Sequence, residues 1–225
     1  MLAACHPKPQ VAPGRVIGLS TSLPLVWRES GDIRGQLADK TSPHWAMGVL
    51  SAEGRVVPLD TLADSRGRLP LPRNALLVLA QPMPLSPQEN VALDAWVRGG
   101  GRLLLFADPM LTASSEYGLG DPRGPQRVAM LSPILAHWGL ELQFDPAQPA
   151  GEHSVPLGDI ALPVNLAGRF AIHHPGGCRL EAQAIVARCH IGSGQLLAIG
   201  DAAVLDGDET GRAATLTALL ELLEH

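Results

Sequence analysis

Two apolar runs and the polar segment between them set the pattern of this chain. Residues 75–80 (ALLVLA) are continuously apolar, long enough for a strand buried on both faces. Residues 102–106 (RLLLF) repeat the pattern and stop abruptly at Ala107, Asp108 and Pro109. Between the runs, Ser86, Pro87 and Glu89 form a helix start. The Ser86 hydroxyl can accept from free backbone N–H groups, Pro87 suits the first turn, and Glu89 completes a capping box. Leu93, Trp96 and Val97 then fall on one helical face, and Gly99, Gly100 and Gly101 end the helix. Strand, helix and strand in this order predict a βαβ unit with parallel strands.

The same reading extends to both sides. Residues 15–20 (RVIGLS) predict a first strand and 43–50 a helix with Trp45 and Val49 inward. Residues 29–40 read as a loop or short helix. Residues 55–59 (RVVPL) predict an edge strand, because Pro58 has no N–H for a ladder. Val128, Leu131, Leu135 and Trp138 recur at helical spacing, which predicts a helix over 125–138, kinked or restarted at Pro133. Residues 140–144 alternate like a half-exposed strand, and 146–177 read as brief strands or an excursion at the sheet edge. Residues 185–191 and 195–200 flank Gly192, Ser193 and Gly194, a hairpin signature. Leu216, Leu219, Leu220 and Leu223 line one face of a C-terminal helix. Residues 15–20, 75–80, 102–106 and 195–200 should be central strands of one sheet.

Composition narrows the function classes. A chain of 225 residues with 46% hydrophobic positions can bury a sizeable core and is not disordered. The net charge of −5 comes with no Lys/Arg cluster and only 4% aromatics, which excludes a basic, base-stacking nucleic-acid surface. No run reaches the roughly 18 apolar residues of a membrane span. Leu2, Ala3, Ala4 and Cys5 match the end of a bacterial lipobox, with Cys5 as the lipidated residue and residues 1–14 as a flexible tether. The basic and apolar regions that precede a lipobox are missing, so an ordinary chain start is the equal alternative. Two unpaired thiols are expected at Cys178 and Cys189. The alternative, in an exported chain, is a disulfide across neighbouring strands.

Taken together, the runs at 76–79, 85–97 and 99–106, with Asp108 and Pro109, and the late run 194–201 (GQLLAIGD), resemble the class I glutamine amidotransferase-like superfamily. More narrowly they resemble its non-catalytic branch in accessory proteins of gliding-motility-type ABC transporters. The resemblance implies a flavodoxin-like three-layer α/β sandwich over residues 15–225 as a single domain, with a mainly parallel sheet and a C-terminal antiparallel hairpin. It implies a membrane transporter or other protein partner, and the lipobox-like start adds the expectation of a periplasmic, lipid-anchored location. A cytoplasmic location is the alternative. Catalytic members carry a cysteine on a tight strand-to-helix turn. Here residues 106–110 read FADPM, and no G-x-S-x-G elbow occurs. A non-enzymatic ligand-binding or protein-interaction module without cofactor is therefore expected. The rival reading is a hydrolase acting around Asp108 and Asp201.

Candidate site residues follow from sheet logic. Ligands of open α/β sheets bind at the carboxyl ends of strands. The polar residues there are Ser20, Thr21, Ser22, Gln81, Asp108 and Asp201. Converging, they could hold a small polar ligand. Alternatively, each aspartate caps the loop after its strand. His173, His174, His153, Asp159 and His190 match no standard ligand spacing, so no metal site is expected. Trp27, just after the first strand, would serve recognition if exposed.

Overall fold

A computed structural model describes residues 14–27, 44–118, 120–174 and 176–223. Residues 1–13 of the tether expected at 1–14, with Cys5, and the loop or short helix expected at 29–40 lie outside the described residues.

The molecule is a three-layer α/β sandwich built on a seven-stranded sheet. The strands of this sheet are β1 (Val16–Thr21), β2 (Arg55–Pro58), β3 (Leu76–Ala80), β4 (Arg102–Phe106), β9 (Cys178–Glu181), β10 (Val186–Ile191) and β11 (Gly194–Ile199). Their order is β2-β1-β3-β4-β11-β10-β9. The first five in that order run parallel, and β10 and β9 complete the edge in antiparallel fashion. This is a flavodoxin-like arrangement, with the runs at 15–20, 75–80, 102–106 and 195–200 as central strands of one sheet, as expected.

The period of two explains the layers. Leu76, Val78 and Ala80 of β3 and Leu104 and Phe106 of β4 enter one core cluster. Ala75, Leu77 and Leu79 with Leu103 and Leu105 enter the other. On the first face lie α1 (Trp45–Glu53) and α4 (Arg212–Glu221), through Ala46, Leu50, Leu216 and Leu219. On the second lie α2 (Pro87–Arg98) and α3 (Ser132–His137), through Leu93, Trp96, Ile134 and Leu135. The α2 capping box forms as its sequence demands: Ser86 accepts from Glu89 N, and Glu89 reaches back to Ser86 N. At the far end of α2, Gly101 lets the chain pass under Trp96, since a Cβ there would meet the indole at 2.3 Å.

Three expectations change. The helix expected over 125–138 begins only at Ser132. Upstream, Leu111 N donates to Arg127 O and Ala129 N to Asp108 O, so 125–131 is held as irregular, bent chain beside the end of β4. Helical spacing there is a by-product of Leu131 turning inward while Val128 stays exposed. The segment after α3 forms the brief strands expected but does not extend the sheet edge. It makes two separate two-stranded ribbons, β5 (Leu140–Gln143) with β8 (Arg169–Ile172), and β6 (His153–Leu157) with β7 (Ile160–Val164). Finally, Cys178 and Cys189 are not free thiols. They sit opposite each other on β9 and β10 and form a disulfide.

Candidate functional site

All four long parallel strands end in polar residues on one edge, and the structure shows what each one does. Gln81 follows β3 with φ +48°, a left-handed conformation unusual for a residue with a side chain. It is fully buried. Its amide Nε2 donates to Asp108 O and Gln126 O, both at 2.9 Å, and its Oε1 accepts from Asp108 N at 2.8 Å. Its carbonyl accepts the Ser22 hydroxyl at 2.5 Å, and that hydroxyl oxygen accepts from Gln126 N at 2.9 Å. Thr21 Oγ1 donates to Ala80 O at 2.7 Å and accepts from Leu23 N. These groups stitch the ends of β1, β3 and β4 to the segment around Gln126.

The aspartates behave the same way. Asp108 Oδ1 accepts from Met110 N at 2.8 Å and Oδ2 from Ala202 N at 3.2 Å. Asp201 Oδ1 accepts from Ala203 N at 2.5 Å and Oδ2 from Asn165 N at 2.7 Å. Asp108 thus ties β4 to the turn after β11, and Asp201 ties that turn to the end of β7. Each residue is 1% exposed. Burial pushes the Asp108 carboxyl up to about 6 against the pull of its two backbone donors, and Asp206 adds to the rise. Burial pushes Asp201 up to about 7, with the Asp108 charge adding to the effect. The two carboxyls therefore share one edge and sense each other, yet every oxygen already holds a backbone N–H. An Asp pair in this state can cap and cross-link. Meeting a substrate would require these bonds to open.

The open part of the edge lies elsewhere. A cleft of about 570 Å³ sits at the carboxyl ends of β1 and β2, beside the start of α2. Ser20, Asp60, Trp27, Met83, Tyr117 and Arg123 are among its lining residues. Trp27 is 55% exposed. The side chains of Ser20 and Asp60 have no hydrogen-bond or ion-pair partner among the described residues. Arg123 lies over the Tyr117 ring, 4.5 Å from its centroid, and pairs with Asp121 at 2.7 Å. Of the sequence candidates, Ser20, Thr21 and Ser22 reach this cleft, while Gln81, Asp108 and Asp201 do not line it. Asp60, Met83, Tyr117 and Arg123 escaped the sequence reading. Asp60 had one signal, an acidic residue just beyond an edge strand that ends at this side of the sheet.

Among the described residues no three His, Cys, Asp or Glu side chains converge as metal ligands. His173 instead meets Glu141 at 2.5 Å on the surface.

No family model matches the chain, and no curated protein matches it. Solved structures do share its fold. An exo-beta-1,4-mannosidase from Opitutaceae bacterium strain TAV5 is 18% identical with a TM-score of 0.51, over 95% of this chain and 36% of the mannosidase. A catalytic mutant of a GH42 beta-galactosidase from G. stearothermophilus is 17% identical with a TM-score of 0.52, over 95% of this chain and 30% of that one. This chain therefore spans about a third of the length of those enzymes. A cytoplasmic protein from Salmonella typhimurium LT2 is 9% identical with a TM-score of 0.51, and matches over 93% of this chain and 99% of its own. At these identities the likeness concerns the fold.

Proposed function

We propose that this chain is a non-enzymatic binding module that engages a protein partner through the cleft at the ends of β1 and β2, as an accessory component of an ABC transport system. One observation carries the reading: the buried strand-end groups Gln81, Asp108 and Asp201 are bonded to backbone and sealed off, whereas the open cleft presents Trp27. A general base or nucleophile must come within hydrogen-bond reach of its substrate. Asp108 and Asp201 are buried, and the Thr21 and Ser22 hydroxyls are spent on carbonyls. A half-exposed tryptophan on a cleft rim is by contrast the residue type that dominates protein interfaces.

The resemblance to transporter accessory proteins supplies the partner class. The Cys178–Cys189 bridge supports an oxidising compartment, consistent with a periplasmic location and an anchor at Cys5. The test has two arms. Purified protein offered glutamine, simple esters and nitrophenyl glycosides should turn none of them over. Turnover abolished by Asp108→Asn would restore the hydrolase reading. Association with the membrane subunits of a transporter encoded beside it should weaken about tenfold in Trp27→Ala. Unchanged association would reject the cleft as the contact surface.

A further inference from the structure

We infer that the cleft recognises a basic side chain, an ammonium or guanidinium on an apolar stem, presented by an extended segment of the partner protein. This rests on the binding reading above and names what the same site would select. The cleft lies where β1 is flanked by β2 on one side and β3 on the other, the switch in strand order at which open α/β sheets take ligands. Such crevices commonly face a helix N-terminus, whose free N–H groups favour anions. Here that N-terminus is already occupied by a carboxylate. Glu89 accepts from Ser86 N at 2.9 Å and the Ser86 hydroxyl at 2.7 Å, and its other oxygen accepts from Thr61 Oγ1 and Leu62 N, both at 3.0 Å. These donors hold the Glu89 carboxyl below its ordinary range despite the opposing effect of burial. A phosphate or carboxylate ligand would meet a negative charge where it needs donors.

The remaining charges point the same way. Asp60 is exposed on the rim and takes no partner among the described residues. Arg123 is the one cation among the described lining residues, and the Asp121 carboxylate neutralises it. Among the described residues the lining therefore presents uncompensated negative charge. Beside it stand an indole face at Trp27 and the Met83 thioether, 55% and 50% exposed. A cation over an aromatic face is attracted by the ring's negative π-surface, and methionine packs adaptably along an aliphatic stem. The Ser20 hydroxyl can accept a further N–H at the floor. A volume of about 570 Å³ fits one long side chain with its immediate neighbours.

The test is calorimetric titration of the full chain with end-blocked pentapeptides alternating leucine with lysine, arginine or glutamate. The two basic peptides should bind and the glutamate peptide should not, with affinity falling at high salt. Asp60→Asn should weaken the basic peptides about fivefold, the scale of an exposed ion pair, and Trp27→Ala about tenfold. Equal binding of the glutamate peptide, or indifference to Asp60→Asn, overturns the inference. If that binding still depends on Trp27, the cleft remains the contact surface and only the charge preference falls. Absence of peptide binding overturns the inference as well, and transporter association unaffected by Trp27→Ala then removes the cleft reading too. Cadaverine competing as well as the lysine peptide would overturn the assignment to a partner segment.

Discussion

At the ends of β4 and β11, Asp108 and Asp201 are buried and hold four backbone N–H groups between them. At the ends of β1 and β2, on the same edge, the side chains of Asp60 and Ser20 hold none among the described residues, and Trp27 stands half in solvent. Both regions look alike in sequence: an apolar run, then a polar residue. The contrast teaches that a polar strand end is a site only when its hydrogen bonds are left over. Where neighbouring loops supply donors, the same residue type becomes architecture.

The closed half should break hardest at Gln81. Gln81→Leu keeps the volume but leaves Asp108 N without its acceptor and Gln126 O without its donor, while Asp108 O keeps only Ala129 N. At about 1–3 kcal/mol for each buried group left unpaired, thermal unfolding should reveal a loss of about 2–6 kcal/mol, or no folded protein. A loss below about 1 kcal/mol would mean the knot is incidental.

Next comes pH. Asp108 and Asp201 bind protons more readily folded than unfolded, since their folded pKa values, about 6 and about 7, lie above the ordinary 3.8. Between these limits the unfolded chain holds fewer protons, so the contribution of this pair is fully present below about pH 4 and is lost as pH rises through about 7. For Asp201 the rise corresponds to a loss on the order of 4 kcal/mol, at about 1.4 kcal/mol per pH unit. Denaturant unfolding across this range should therefore give Asp201→Asn a shallower decline than the parent chain. Parallel curves would show that the carboxyl titrates normally.

Side-chain removal gives a smaller effect. Asp108→Ala orphans Met110 N and Ala202 N and should cost about 1–3 kcal/mol. Asn is an incomplete substitute here. Both carboxylate oxygens accept, whereas an amide offers one acceptor and turns N–H toward the other donor. Asp108→Asn should lose at least half of what alanine loses in thermal melts. Full rescue by Asn would mean that one of the two bonds is dispensable. Least of all, Trp27→Ala in the open half should leave stability within about 0.5 kcal/mol. A larger loss would make Trp27 a packing residue and blur the contrast between the halves.

Much of the architecture was legible because buried parallel strands need continuous apolar runs, and 75–80, 102–106 and 195–200 supply them. Residues 125–131 were not, since their conformation is fixed by partners at 108 and 111 rather than by their own spacing. The pairing of β5 with β8 skips over a whole ribbon, so no local signal announces it. The disulfide depends on strand register, which sequence leaves open. The site followed the same rule. Asp108 and Asp201 were visible as strand ends, but their roles were decided by the N–H groups of Asn165 and Ala202, which only the fold brings near. Trp27 was visible as an aromatic after a strand, and its exposure was not.

The position of β11 has a consequence for how the chain is made. β4 pairs in the sheet with β3 on one side and β11 on the other, so its second partner is synthesised only after residue 194. Until then Leu103, Leu104 and Leu105 border an unpaired strand edge on a nascent polypeptide. Closing so long a loop before the pairing rewards it makes this docking a late, slow event. An emerging chain halted anywhere between β4 and β11 would be the species most prone to aggregate, and the one that a holding chaperone protects most.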